Sequence, residues 1–159
     1  MAQALVEPLL NSGSFSADQV HAVVGSAATA KRLAQGTFEA VSIHPSGCSE
    51  ALQVWSAPVQ LLAVKPQQID AIAAAAPDVD HHPLLVSVLA GVSLDRLQRL
   101  FPGHRVVRAV PNTPALVGEG LTALAWGEAI SSEQRLKVRE LFAGVSEVLE
   151  LPEAKLDAF

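Results

Sequence analysis

The sequence predicts an α/β fold, a doubly wound and mostly parallel sheet, and three observations predict it. Of the 159 residues, 50% are hydrophobic but only 4% are aromatic, the profile of parallel strands covered by small-residue helices. Two continuous apolar runs, Val59-Gln60-Leu61-Leu62-Ala63-Val64 and Leu84-Leu85-Val86-Ser87-Val88-Leu89-Ala90, read as strands buried on both faces. Strand and helix patterns alternate from end to end with short loops and no internal repeat, and right-handed crossovers then place helices on both sides of the sheet.

The first element reads as a helix from Ala2 to Leu10, because Leu5, Val6 and Leu9 fall on one helical face and Asn11-Ser12-Gly13 closes it. Pro8 lies inside and withholds a backbone donor, so a bend is expected there. His21 to Val24 reads as a strand, Ala27 to Gln35 as a helix, Val41 to Ile43 as a short strand, and Glu50 to Trp55 as a helix. The first long apolar run is followed by an alanine-rich helix from Pro66 to Ala76, with proline tolerated at its first position. After the second run, Ser93 suits the N-cap of a helix carrying Leu94, Leu97, Leu100 and Phe101. Arg105 to Val110 and Leu121 to Trp126 read as strands. Ser131 with Gln134 forms a capping box before a helix through Val138, Leu141 and Phe142. Val145 to Leu151 is a last strand, and Pro152-Glu153 resembles the first turn of a further helix.

Several function classes are disfavoured. A net charge of −5 offers no basic stripe for a phosphate backbone, which argues against nucleic acid. No apolar run approaches the roughly 20 residues of a membrane span, and Met1-Ala2-Gln3-Ala4-Leu5 lacks the basic start of a secretory leader, so a cytoplasmic protein is expected. The single Cys48 excludes an internal disulfide and reads as inert. Among His21, His44, His81, His82 and His104, the one adjacent pair precedes Pro83 without the spacing that converges ligands on a metal. A small-molecule ligand remains.

In doubly wound sheets ligands bind beyond the carboxyl ends of the strands, so the residues just after each strand matter most. After Val64 stand Lys65-Pro66-Gln67, where a cation beside a helix start suits a phosphate or ribose, although an isolated Lys-Pro pair reads first as a solvated loop. After Ala90, Gly91 allows close approach of a ligand to the backbone. After Val110, the run Pro111-Asn112-Thr113-Pro114-Ala115 leaves the Asn112 amide free for a ligand, or is simply a proline-framed turn. Gly25-Ser26 carries no acid for a ribose 2′-hydroxyl, while Lys31 and Arg32 follow closely, which favours NADP(H) over NAD(H). Gly118-Glu119-Gly120-Leu121-Thr122-Ala123 matches the dinucleotide fingerprint by letter but leads into a strand, so it is rejected.

Taken in order, Leu62-Ala63-Val64-Lys65-Pro66-Gln67, Ser87-Val88-Leu89-Ala90-Gly91-Val92-Ser93, Val107-Arg108-Ala109-Val110-Pro111-Asn112-Thr113-Pro114-Ala115 and Gly118-Glu119-Gly120 resemble pyrroline-5-carboxylate reductase across essentially the whole chain. The resemblance implies a Rossmann-like sheet and reduction of the imine of 1-pyrroline-5-carboxylate to L-proline by hydride from NADPH. It implies that Met1 closes the glycine loop, that Ser26 meets the adenosine 2′-phosphate, and that Ala63, Val64, Lys65 and Pro66 wall the cofactor. It further implies that Ala90 and Gly91 form a cofactor-side turn, and that Asn112 and Thr113 lie where nicotinamide meets substrate.

The family's first strand and glycine loop have no counterpart here, nor does its asparagine among Ser46, Gly47 and Cys48. The resemblance therefore implies an incomplete NADP-binding domain over 1–151, with 152–159 starting the helix toward a C-terminal helical domain that makes the family's homo-oligomer. It also implies that this chain alone does not turn over. Loss of a strand central to the 3-2-1-4 order leaves its neighbours with unpaired backbone groups, so a rearranged sheet of marginal stability is expected. The alternatives are a non-catalytic nucleotide-binding or interaction module, or another NADP-dependent reductase.

Overall fold

A computed structural model of the chain describes residues 2–112 and 120–158. Helix α1 spans Ala2–Asn11, strand β1 His21–Val24, helix α2 Ala27–Leu33 and strand β2 Ser42–Pro45. Strand β3 (Val59–Leu62), helix α3 (Ile69–Ala75), strand β4 (Leu84–Ser87) and helix α4 (Leu94–Leu100) follow. Strand β5 (Arg105–Pro111), strand β6 (Gly120–Trp126), helix α5 (Ser132–Ala143) and strand β7 (Ser146–Glu150) complete the sheet elements. The expected helix near Glu50 is a 3₁₀ helix, Ser49–Ser56, and the chain after Pro152 is also 3₁₀, Glu153–Ala158.

Among the described residues the strands form two sheets. β1 and β2 pair in parallel, and β3-β4-β5-β6-β7 form the second sheet in that order. β1 and β3 each have a hydrogen-bonded strand on one edge only among the described residues. β3, β4 and β5 run parallel, and Leu85 pairs with Val106 in register. β6 runs antiparallel to β5, Val107 opposite Trp126, and departs from strict strand-helix alternation. The reason is connection length: 112–119 is too short for the dozen or more residues a parallel crossover needs.

Side chains of the five-stranded sheet alternate between two cores, as the period of two requires. On one face Leu85, Val106, Ala123 and Ala125 pack with Ile69 of α3, Leu97 of α4 and Leu156. On the other, Leu84, Val86, Val107, Ala109 and Leu124 pack with Leu5 of α1 and with Val138 and Phe142 of α5. Helices on both faces explain why all four residues of β4 are buried.

The capping signals act as expected. Ser93 Oγ accepts from Arg96 N–H at 3.3 Å. Ser131 Oγ accepts from Gln134 N–H at 3.2 Å, while Gln134 Oε1 accepts from Ser131 N–H at 3.0 Å. Helix α1 runs through Pro8 to Asn11. No helix among the described residues is long and apolar enough to cross a membrane.

Candidate functional site

The carboxyl ends of β3, β4 and β5 lie side by side, and three of the expected segments follow them. β3 stops at Leu62, two residues short of the apolar run, so Ala63 and Val64 are connection rather than strand. Val64 still packs against the core, and exposed Lys65 precedes Pro66, which opens the 3₁₀ turn before α3. Gln68 secures that turn: its Oε1 accepts from Lys65 N–H at 3.3 Å and its own N–H donates to the Lys65 carbonyl at 2.9 Å.

β4 likewise stops at Ser87. Val88 N–H still reaches the Leu62 carbonyl at 3.1 Å, and Leu89 N–H donates to Ser87 Oγ at 3.4 Å. The chain then surfaces at Ala90 and Gly91 before Val92 returns to the core. Gly91 has φ +70°, and nothing lies within 4 Å of where its Cβ would be. Glycine is needed here for the backbone conformation, and its Cβ position is open.

At the end of β5, Pro111 pairs with Thr122 and Asn112 is exposed. The Asn112 amide is not wholly free, contrary to expectation. Its Oδ1 accepts from Leu121 N–H at 2.8 Å, and its own N–H donates to the Leu121 carbonyl at 3.0 Å. The side chain thus continues the β5–β6 ladder by one more rung, which fixes the carboxamide and turns only its NH2 group outward.

Ser26 follows β1 in the smaller sheet, next to Gly25. Its Oγ accepts from Thr29 N–H at 3.2 Å and lies 3.1 Å from Thr29 Oγ1, so it caps α2, whose last turn carries Lys31 and Arg32. Met1, Thr113, Gly118 and Glu119 lie outside the described residues. No group of three or more His, Cys, Asp or Glu among the described residues could hold a metal.

One constellation was not anticipated from sequence. Arg108, with 3% of its side chain exposed, stands in the middle of β5 and donates to Glu153 Oε1 at 3.3 Å. The same oxygen accepts from the Leu94 N–H of α4 at 2.6 Å. A charged residue inside a central strand was the available signal, because a buried guanidinium demands an acid.

Residues 1–91 match the family described as NADP oxidoreductase, coenzyme F420-dependent. Pyrroline-5-carboxylate reductase of Synechocystis is 39% identical over 99% of this chain and 57% of its own length. Pyrroline-5-carboxylate reductase 3 of the rat is 34% identical over 99% of this chain and 56% of its own. The chain thus spans little more than half the length of the curated relatives it matches. Among solved structures, that of 1-pyrroline-5-carboxylate reductase from Streptococcus pyogenes superposes with a TM-score of 0.82 at 22% identity, covering 100% of this chain and 57% of that one. That of the Plasmodium falciparum reductase with NADP bound gives 0.80 at 20% identity, covering 98% and 55%. These likenesses agree with the Rossmann-like α/β fold, and the chain belongs to the NADP oxidoreductase, coenzyme F420-dependent, family, with pyrroline-5-carboxylate reductases as its relatives in sequence.

Proposed function

We propose that this chain is the nucleotide-binding part of a pyrroline-5-carboxylate reductase, reducing the imine of 1-pyrroline-5-carboxylate to L-proline. The observation that carries the reading is the 39% identity to the Synechocystis enzyme over 99% of the chain. The rim made by Lys65, Gly91 and Asn112 supports it, since cation, open glycine backbone and amide donor suit the successive parts of a dinucleotide. NADP(H), when bound, supplies the hydride. Ala63, Val64, Lys65 and Pro66 would wall it, Ala90 and Gly91 would underlie it, and Asn112 with Thr113 would meet the nicotinamide and substrate. Ser26, with no acid beside it, would face the adenosine 2′-phosphate and favour NADP(H) over NAD(H). Met1 would stand at the phosphate end. The chain's contribution is orientation, because the cofactor carries the difficult chemistry.

In this reading residues 1–151 are the nucleotide domain, and 152–159 lead toward a helical part through which the whole protein makes a homo-oligomer. The test is an assay of this chain joined to the remaining length of its Synechocystis relative. NADPH oxidation that depends on 1-pyrroline-5-carboxylate and yields proline is expected, while the 159-residue chain alone yields none. Cofactor binding without any proline from the joined protein would overturn the substrate assignment and favour another NADP-dependent reductase.

A further inference from the structure

We infer that Glu153 is a positioning residue that sets the Ala90–Gly91 turn relative to the end of β5; its role in cofactor binding rests on the function proposed above. The turn is tied at its leading end by Val88 N–H to the Leu62 carbonyl and by Leu89 N–H to Ser87 Oγ. Its trailing end is tied by Leu94 N–H to Glu153 Oε1 at 2.6 Å, a partner 59 positions away in sequence. Between the ties, Ala90 and Gly91 are exposed.

Glu153 is itself held from below. Arg108 Nη1 reaches the same oxygen at 3.3 Å, and Leu156, three residues on, is buried in the core among Leu94, Leu97 and Val106. One carboxylate oxygen therefore joins three separate pieces: the turn after β4, the middle of β5, and the segment after β7. Because Arg108 lies four residues before Asn112 on a rigid strand, the spacing between Gly91 and Asn112 is set partly through Glu153. The bond to an N–H at a helix start is charge-assisted, and its geometry is directional where that of a bare ion pair is not.

The experiment separates acceptor geometry from charge by following amide hydrogen exchange of residues 88–94 in the purified chain and its variants. Glu153→Gln keeps an acceptor of the same length but not its charge, so the bonded Leu94 amide should exchange only a few-fold faster than in the parent, roughly the difference between a charge-assisted and a neutral hydrogen bond. Glu153→Asp keeps the charge but is one methylene short of Leu94 N–H, whose amide should exchange on the order of tenfold faster or more, the worth of a lost charge-assisted hydrogen bond. Equal protection in the two variants, or greater protection in Glu153→Asp, overturns the assignment. In the joined enzyme, Glu153→Asp should raise KM for NADPH on the order of tenfold with kcat at saturating cofactor unchanged. A fall in kcat at unchanged KM would overturn the cofactor role. If the parent enzyme makes no proline, the proposed function falls, and the exchange rates still decide the positioning claim.

Discussion

At His104 the surroundings decide the charge. Its ring sits edge-on to Trp55 and Phe101, at centroid distances of 5.8 and 5.6 Å, and its Nε2 lies 3.1 Å from Gln60 Oε1. Burial in this aromatic pocket, aided by the nearby His81, lowers its pKa below the ordinary 6.5. The folded chain thus binds the proton less readily than the unfolded chain. Its stability contribution is complete above pH 6.5 and declines as pH falls below that value toward the depressed folded pKa. Urea midpoints measured from about pH 8 down to about pH 5 should fall, and His104→Gln should flatten the slope. Ser26 offers a second test at this scale. An acid after β1 would bond a ribose 2′-hydroxyl and repel a 2′-phosphate, so Ser26→Asp in the joined enzyme should move the NADPH/NADH preference toward NADH by about tenfold or more, read as the ratio of kcat/KM. Residue types after strand ends are legible in sequence, which is why Lys65, Gly91 and Asn112 could be picked out. Asn112's use of its Oδ1 on Leu121 could not, because it depends on β6 folding back beside β5.

Elements were legible where one physical signal dominates. The capping box at Ser131 and Gln134 places the start of α5, and Ser131→Ala should lower stability by about 1 kcal/mol in urea denaturation. Strand ends were misplaced where burial outlasts pairing: Leu89, 2% exposed, is as buried as Ala125 within β6, yet β4 has already ended at Ser87. An apolar run reports what is out of water and says nothing of which N–H meets which carbonyl. Pro8 is the reverse case, a strong breaker overruled by its context. Leu5 and Leu9 bury the helix face, so α1 continues through it and the Ala4 carbonyl goes without its helical donor. Pro8→Ala should therefore raise stability by about 1–3 kcal/mol, visible as a higher melting temperature. Gly127 shows a constraint that no pattern announces. A Cβ there would stand 2.6 Å from the Val106 carbonyl oxygen, whose position is fixed by its bond from Gly127 N–H at 2.9 Å. Gly127→Ala should cost about 1–3 kcal/mol.

Across the molecule, stability is unevenly shared. β1 and β2 contain no fully buried residue, whereas β4 is buried throughout and β5 and β6 are mostly so. Backbone amides of β1 and β2 should exchange with solvent well before those of β4, β5 and β6, and equal protection across both sheets would contradict the division between them. The alternation that made the fold class legible carried no warning of the reversal at β6, because a strand's own pattern is blind to direction. That reversal has an electrostatic outcome. The helices following β3 and β4 begin beyond the carboxyl ends of those strands, so their positive poles face that edge of the five-stranded sheet. Beyond β6 the order is inverted: α5 starts at the opposite edge and ends, at Gly144, just before Ser146, which pairs with the first residue of β6 next to Asn112. The edge therefore grades from electropositive on the β3–β4 side to electronegative beside β7, and an elongated ligand with one anionic end has a single favourable heading along it.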